Sequence, residues 1–162
     1  MKKIKTMLIA GLAVIMLAGC ANNNSSDAPS DSVSESVSAK TPAEKTAELL
    51  EGIEHPEMVE VTSDRLKMYY KTEESAVKEF SAYVCGSGAM PDEFGVFVCT
   101  DNAAAEALKT ELEARIEKVR ETFADYTPAE MYKFDDSFVN VNGDTVSYAV
   151  CANNELAKNI FG

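Results

Sequence analysis

Residues 101–123, DNAAAEALKTELEARIEKVRETF, decide the fold expected for this chain. Their apolar side chains recur at steps of three and four residues, which places them on one face of an α-helix. Asp101 suits the N-cap position of a helix that starts at Asn102. A helix about 33 Å long with one narrow apolar stripe is typical of a helix that lies across a β-sheet. The stripe consists of Ala105, Leu108, Leu112, Ile116, Val119 and Phe123.

Two segments before this helix show the pattern of β-strands. Apolar and other residues alternate from Glu79 to Cys85, and the glycine- and proline-containing run from Gly86 to Pro91 ends that strand. A second strand is expected from Phe94 to Thr100, directly before the long helix.

A β-hairpin is expected after the helix. Its strands run from Phe138 to Val141 and from Asp144 to Cys151, because Asn142-Gly143 can take the two positive φ values of a type I′ turn. That turn predicts a register in which Val139 lies opposite Val146 and Asn140 lies opposite Thr145.

Shorter helices are expected at both ends of this region. Thr41 and Glu44 form a capping box at the start of a helix from Pro42 to Glu54. A terminal helix is expected from Asn154 to Phe161. The expected apolar side of the first helix consists of Ala43, Ala47, Leu50 and Ile53.

These elements predict one α+β domain over residues 41–162. It has a four-stranded antiparallel sheet backed by one long amphipathic helix, with short N- and C-terminal helices. Residues 63–70 favour a short helical turn that points Leu66 and one tyrosine inward. The secondary structure of residues 57–62 is ambiguous. About 120 residues suffice for one hydrophobic core and not for two.

The N-terminus carries the pattern of a bacterial lipoprotein signal. Lys2, Lys3 and Lys5 precede an apolar run from Met7 to Leu17, which is too short to span a membrane as a helix. The run ends in Leu-Ala-Gly followed by Cys20. We therefore expect residues 1–19 to be a lipoprotein signal peptide and Cys20 to be the lipid attachment site.

Residues 20–40 are rich in Ser, Asn and Asp and have few aliphatic side chains, so we expect a disordered tether. The whole chain has a formal net charge of −12. This acidity disfavours nucleic acid and anionic lipid head groups as partners. The expected location is the outward-facing side of the cell membrane, extracellular or periplasmic, with the lipid on Cys20 as the contact to the bilayer.

Residues that could carry chemistry are few. His55 is the single histidine, and neither it nor the cysteines have the CxxC or HxxxH spacing of a zinc site. No EF-hand loop, nucleophile elbow or phosphate-binding glycine loop is present. We expect no catalytic residues, no metal and no cofactor.

The three cysteines after Cys20 are an odd number. If the strands run down, up, up and down in chain order, Cys85 and Cys151 lie at one end of the sheet and Cys99 at the other. Only a bridge between Cys85 and Cys151 is then compatible with disulfide geometry. Three free buried thiols are the favoured interpretation.

The order of several motifs resembles a known family. Residues 93–97 (EFGVF), the long helix, residues 126–128 (YTP) and residues 148–150 (YAV) are similar to the uncharacterised bacterial lipoproteins that carry domain of unknown function 4358. The resemblance covers residues 42–161. It implies a lipobox, a serine-rich tether and a small domain, and it assigns no catalytic or binding residues. Cysteines at these positions are not a feature of that family, which argues against an essential thiol.

Three hypotheses on function stay open at this point. The first is an interaction module at the cell envelope, with an envelope protein as partner. The second is a small hydrolase or transpeptidase that acts on the envelope with a thiol nucleophile. The third is a ligand-binding accessory of a transporter, for which about 120 residues could enclose only a small ligand.

Strand alternation gives the interaction hypothesis two candidate binding residues, Tyr83 and Phe97. If Phe80 and Phe94 face the long helix, alternation places Tyr83 and Phe97 on the opposite face of the sheet. That face is too apolar to stay exposed, so either the first helix or a partner covers it.

The lipid anchor predicts the behaviour of a Cys20→Ser variant. The thioether forms on the cysteine sulfur, so the variant should lose the lipid and leave the membrane fraction. Fractionation of cells followed by a high-salt wash measures this. A variant that stays with the membranes would contradict the lipoprotein interpretation.

Overall fold

An antiparallel sheet of five strands organises the residues that the computed structural model describes, 39–162. The predicted signal peptide, Cys20 and nearly all of the predicted tether lie outside this range. The strand order is β1-β2-β3-β5-β4, and every neighbouring pair is antiparallel. The strands are β1 (Met58–Glu60), β2 (Val77–Cys85), β3 (Glu93–Cys99), β4 (Phe138–Asn142) and β5 (Thr145–Val150).

The fifth strand corrects the expected count of four. Strand β1 lies within the segment that the sequence left ambiguous, and Met58 pairs with Cys85 at the edge of the sheet. Its three residues are too few to show an alternating pattern, so only the pairing with β2 reveals it.

Four α-helices surround the sheet, and their positions agree with the sequence pattern. The Thr41 and Glu44 capping box is present, and Asp101 accepts a hydrogen bond from the Ala104 N–H at 2.8 Å. Leu66 and Tyr70 are both buried, as expected for the short turn. The helices are α1 (Pro42–Gly52), α2 (Leu66–Tyr70), α3 (Asn102–Tyr126) and α4 (Asn154–Phe161).

Helix α3 covers one face of the sheet. Its stripe of Leu108, Leu112 and Ile116 packs against Ala82, Val146 and other strand residues in the larger of two hydrophobic clusters. A 3₁₀ helix, Pro128–Phe134, follows α3 and adds Phe134 to the same layer. The long helix lies across the sheet, as predicted.

Helices α1 and α4 cover the other face. Leu49 from α1 and Phe161 from α4 pack on Phe94 and Val96 in the second cluster. Of the two alternatives left open for the second face, coverage by the first helix is the one observed, and α4 contributes to it.

The apolar side predicted for α1 needs correction. Ala43 and Ala47 are exposed, whereas Thr46 and Leu49 are buried. The Thr46 hydroxyl lies 2.7 Å from that of Ser81 on β2. This buried hydrogen bond satisfies the Thr46 hydroxyl, so a polar side chain can lie on the face of α1 that packs on the sheet. Hydrophobicity alone does not predict this position.

The face assigned to Phe97 is wrong. Phe97 pairs with Phe80 and with Val146, both of which face α3, and directly paired residues share a face of the sheet. Phe94 and Val96 therefore point to α1 and α4. Strand β3 is buried on both faces, so its sequence has no polar side that could fix its orientation.

The register of the β4–β5 hairpin also differs from the prediction. Val141 lies opposite Val146 and Asn142 opposite Thr145, so the two turn residues are Gly143 and Asp144. Gly143 has φ of +63°, as the first central residue of a type II′ turn requires, and Asn142 pairs within the strand. The turn therefore lies one residue later than predicted. Val139 and Val141 still face α3, on the same side as Val146.

The strand directions place the cysteines as predicted. Cys85 and Cys151 lie at the end of the sheet where β2 and β5 finish, and Cys99 lies at the end where β3 finishes. All three are free and buried.

No α-helix within residues 39–162 combines the length and the apolar character needed to cross a membrane.

The position of Phe97 predicts a large loss of stability for Phe97→Ala. The side chain is 0% exposed and its ring stacks on Phe80 with centroids 5.7 Å apart. Removing it should lower the free energy of unfolding by about 3–5 kcal/mol, measured by urea unfolding. Met68→Ala is the control, since Met68 is 66% exposed and should change the stability by less than about 0.5 kcal/mol. Equal effects of the two substitutions would contradict the assignment of Phe97 to the core.

Candidate functional site

A cavity of about 290 Å³ lies where β2 turns into β3, beside the middle of α3. We call it the loop cavity. Its apolar walls come from the sheet and the helix, and its polar groups come from the loop, the strand ends and Arg115 on α3. The residues used below are Val84, Cys85, Asp92, Glu93, Arg115 and Val119.

An ion pair between Arg115 and Glu93 forms one wall. The Arg115 Nε donates to both carboxylate oxygens of Glu93 at 3.0 Å, and its Nη2 donates to Oε2 at 2.6 Å. Nη1 donates to the Tyr69 carbonyl at 3.2 Å. The Glu93 side chain is 4% exposed and that of Arg115 is 22% exposed. The charges are therefore largely removed from water, and the guanidinium compensates the carboxylate.

Burial raises the pKa of Glu93, and Arg115 opposes that rise. For Arg115, burial lowers the pKa, but the charge and hydrogen bonds of Glu93, together with Tyr148 and Tyr70, outweigh burial and the pKa is raised. The guanidinium thus stays charged, and its charge is the constant one of the pair.

Two buried tyrosines, Tyr70 and Tyr148, lie next to the Arg115–Glu93 ion pair on its core side. The hydroxyls of Tyr70 and Tyr148 lie 2.8 Å apart and are buried. The Arg115 guanidinium lies over the Tyr69 and Tyr70 rings, 5.2 Å and 5.6 Å from their centroids. Burial raises the pKa of both Tyr70 and Tyr148, so both remain neutral hydrogen-bonding groups.

The thiol of Cys85 lies at the base of the loop. Its sulfur is 3.4 Å from the Ser87 hydroxyl oxygen. Burial raises the pKa of this thiol, but the Ser87 hydroxyl and the backbone N–H groups of Met90, Ser87 and Ala89 outweigh burial, and the pKa is lowered. Burial raises the pKa of Cys99, and it raises the pKa of Cys151 to about 11. Of these three thiols, Cys85 is the one whose pKa is lowered.

Asp92 lies opposite Cys85 at the start of β3, and the Cys85 N–H donates to its carbonyl at 2.9 Å. The Lys133 ammonium donates to Asp92 Oδ2 at 2.6 Å and lies 2.7 Å from Glu130. Asp92 is 1% exposed, and its Oδ1 has no hydrogen-bond partner among the described residues. Burial raises the pKa of Asp92 against the opposing effect of Lys133.

The residues predicted for binding are not brought together. Tyr83 is half-buried on the face covered by α1 and α4, where its ring lies 5.8 Å from that of Phe94. Phe97 is enclosed on the opposite face, under α3. Cys20 lies outside the described residues.

His55 lies apart from the loop cavity and lines a different depression together with Lys133. Its Nδ1 is 2.7 Å from the Pro56 carbonyl oxygen. Within residues 39–162, no cluster of three or more His, Cys, Asp or Glu side chains is placed to hold a metal ion.

Sequence reasoning missed the charged residues of the loop cavity, although one signal was available. Arg115 lies three residues after Leu112 and seven after Leu108, which is a position on the buried stripe of α3. A cation on an apolar stripe needs a buried anion, and Glu93 starts a strand that is otherwise apolar.

The ion pair predicts a strong effect of Arg115→Met, which leaves Glu93 buried and uncompensated. At pH 7 the free energy of unfolding should fall by about 3–5 kcal/mol. Lys109→Met is the matched control on the same helix, because its pair with Glu113 is solvent-exposed and worth at most about 0.5 kcal/mol. Urea unfolding measures both.

The effect of Arg115→Met should depend on pH. Without the guanidinium, the pKa of Glu93 in the folded state rises further above its value in the unfolded chain. Stability from such a group is complete below the unfolded pKa and is lost as the pH rises through the folded pKa. The deficit should therefore be smaller near about pH 4 than at pH 7. A deficit that does not vary with pH would contradict a buried carboxylate.

Comparison with known proteins supports one assignment. Residues 51–151 match the family described as Domain of unknown function (DUF4358). No curated protein and no solved structure matches the chain. The matched segment contains the whole sheet, helix α3 and the loop cavity. More than half of the sequence is covered, so this chain belongs to the DUF4358 family, as its motifs predicted.

Proposed function

We propose that this chain is a lipid-anchored binding module on the outward-facing side of the cell envelope, and that the loop cavity receives a group of its partner. The observation that carries the proposal is the cavity itself. The Arg115 guanidinium and the Glu93 carboxylate lie there between apolar walls, beside the backbone of the loop from Gly86 to Pro91. Convergent polar groups in an apolar setting are the usual character of a recognition site.

Both faces of the sheet are occupied by the chain's own helices. Helix α3 covers one face, and α1 with α4 covers the other. The earlier expectation of docking on a sheet face therefore gives way to binding at the end of the sheet, where β2 turns into β3.

The size of the loop cavity limits what it can accept. Its volume of about 290 Å³ is at the small end of ligand pockets, which reach about 1,000 Å³. It suits one side chain of a protein partner or a small polar molecule. Arg115 and the backbone N–H groups of the loop can donate hydrogen bonds to such a group.

The anchoring part of the proposal rests on the sequence. Cationic residues, an apolar run and Leu-Ala-Gly-Cys at positions 17–20 support lipidation of Cys20. The net charge of −12 favours a domain that stays clear of anionic head groups.

Binding is preferred over hydrolysis for a geometric reason. A cysteine hydrolase or transpeptidase needs a general base beside its thiol, usually histidine. His55 lines a different depression, and the residues around the loop cavity include no histidine. The pKa of the Cys85 thiol is lowered, but no histidine lies beside it among the residues around the loop cavity.

Position-specific photo-cross-linking in intact cells tests the proposal. A photoreactive residue at Ser87 should give one dominant adduct, because Ser87 lines the cavity. The same residue at Glu106, which is exposed near the start of α3, should not. Val119→Phe narrows the cavity and should reduce the adduct severalfold. Equal adducts from both positions, or an adduct that Val119→Phe leaves unchanged, would refute the loop cavity as the binding site.

A further inference from the structure

Lys133 is a lysine whose ammonium group is almost entirely buried. Its side chain is 6% exposed, and that of its partner Asp92 is 1% exposed. Nζ lies 2.6 Å from Asp92 Oδ2 and 2.7 Å from an oxygen of Glu130, which belongs to the same 3₁₀ helix as Lys133. An amine and two carboxylates therefore meet in a site from which water is largely excluded. Neither Lys133 nor Glu130 lines the loop cavity.

Hydrogen bonds from other parts of the domain hold the backbones of Lys133 and Asp92 in place. The Lys133 carbonyl accepts one from Asn154 Nδ2 at 2.7 Å, and Asn154 Oδ1 accepts one from the Cys151 N–H at 3.1 Å. The Asp92 carbonyl accepts one from the Cys85 N–H at 2.9 Å. The carboxyl carbon of Asp92 is one C–O bond beyond Oδ2, so Nζ lies within about 3.8 Å of it. This is close to the separation of about 3–3.5 Å from which bonds form.

An ion pair in this site is costly because both groups are largely removed from water. Asp92 Oδ1 accepts no hydrogen bond from the described residues. Burial raises the pKa of Asp92 against the opposing effect of Lys133. Burial lowers the pKa of Lys133, but the hydrogen bonds and charges of Asp92 and Glu130 outweigh burial and raise it. That support weakens once Asp92 is protonated, so transfer of one proton within the pair yields a neutral amine and a neutral acid.

We propose that Lys133 and Asp92 condense into an intramolecular amide bond, with Glu130 transferring the proton that the reaction must move. The bond ties the start of β3 to the 3₁₀ helix that follows α3. It removes both charges from the buried site and leaves Oδ1 as a neutral carbonyl oxygen, which costs less without a donor than a carboxylate oxygen does. The bond requires no ligand and no partner, so it is independent of the proposed binding function.

The reaction is a condensation that releases one water molecule. After a proton has passed from Nζ to Asp92 Oδ2, the neutral amine attacks the carboxyl carbon and forms the new C–N bond. Glu130 accepts a proton from the nitrogen and delivers it to the Oδ2 hydroxyl as the C–O bond breaks. Glu130 ends as the carboxylate that it was at the start, and no oxidant, reductant or cofactor is consumed.

Proximity and the exclusion of water favour the amide over the two free groups. Well-oriented groups within one molecule reach effective concentrations of about 10⁵–10⁸ M. A closed site also keeps away the water that the reverse reaction needs. The chain offers a contrasting pair, Lys78 and Asp144, whose Nζ and Oδ2 lie 2.8 Å apart with side chains 50% and 38% exposed. Water solvates these two charges, so this pair should not react.

Tryptic peptide mapping of the full chain, unfolded before digestion, tests the proposal. Trypsin does not cleave after an acylated lysine, so residues 121–158 should stay in one piece and be joined to residues 79–109. The mass of the joined species should equal the sum of the two peptides less one water molecule. Tandem mass spectrometry should place the link at Lys133 and Asp92. Trypsin should still cleave after Lys78, the exposed control.

Variants separate the covalent bond from an ordinary ion pair. Lys133→Arg keeps a positive charge, but a guanidinium is not deprotonated in proteins, so no joined peptide should form. Glu130→Gln keeps the size of the side chain and removes the proton acceptor. Since such catalysis contributes about 10²–10⁴-fold, the joined fraction at a fixed time after synthesis should fall at least about tenfold. Glu117→Gln is the matched control, because Glu117 pairs with Arg120 at an exposed site and should leave the joined fraction unchanged.

Three results would overturn the proposal. The first is a wild-type chain that yields the two peptides unjoined, and this result does not depend on whether any variant folds. The second is a link between Lys78 and Asp144 as abundant as that between Lys133 and Asp92, which would exclude burial as the cause. The third is a joined fraction that Glu130→Gln leaves unchanged while circular dichroism shows that the variant is folded, which would remove Glu130 from the reaction.

Discussion

The contact between Arg115 and Glu93 fixes the long helix on the central strand, and much of the domain depends on it. Taking both charges out of water is expensive, so the pair is stable only in a geometry that satisfies the guanidinium. Here the carboxylate and the Tyr69 carbonyl do so together. The Arg115 guanidinium also lies over the buried Tyr70 ring, whose hydroxyl contacts that of Tyr148, and the pair forms a wall of the loop cavity. The buried ion pair thus belongs both to the contact between helix and sheet and to the site.

Much of the architecture could be predicted because it follows from local patterns. The stripe of α3, the capping residues Thr41 and Asp101 and the strand directions all came from spacing and end signals. Each of these depends on residues that are close in sequence, so neighbours along the chain carry the information.

The errors arose where tertiary contacts outweigh the local pattern. Strand β3 is apolar on both faces, and only its pairing with β2 and β5 orients Phe97. Strand β1 exists because β2 offers an open edge, and Thr46 is buried because Ser81 meets its hydroxyl. The loop cavity joins Glu93 of β3 and Arg115 of α3, and neither spacing nor composition reveals that meeting.

The route by which the chain enters the domain has a consequence for its reach. Ala39 and Lys40 lie beside Asn142 and Val98, at the end of the sheet that holds the β4–β5 turn. The loop cavity lies at the other end of the sheet, so the length of the strands separates it from the point of entry. In a chain held from its N-terminal side, the loop between β2 and β3 is then the distal tip. Such a position leaves the loop cavity open to a partner that approaches from the side opposite the point of entry.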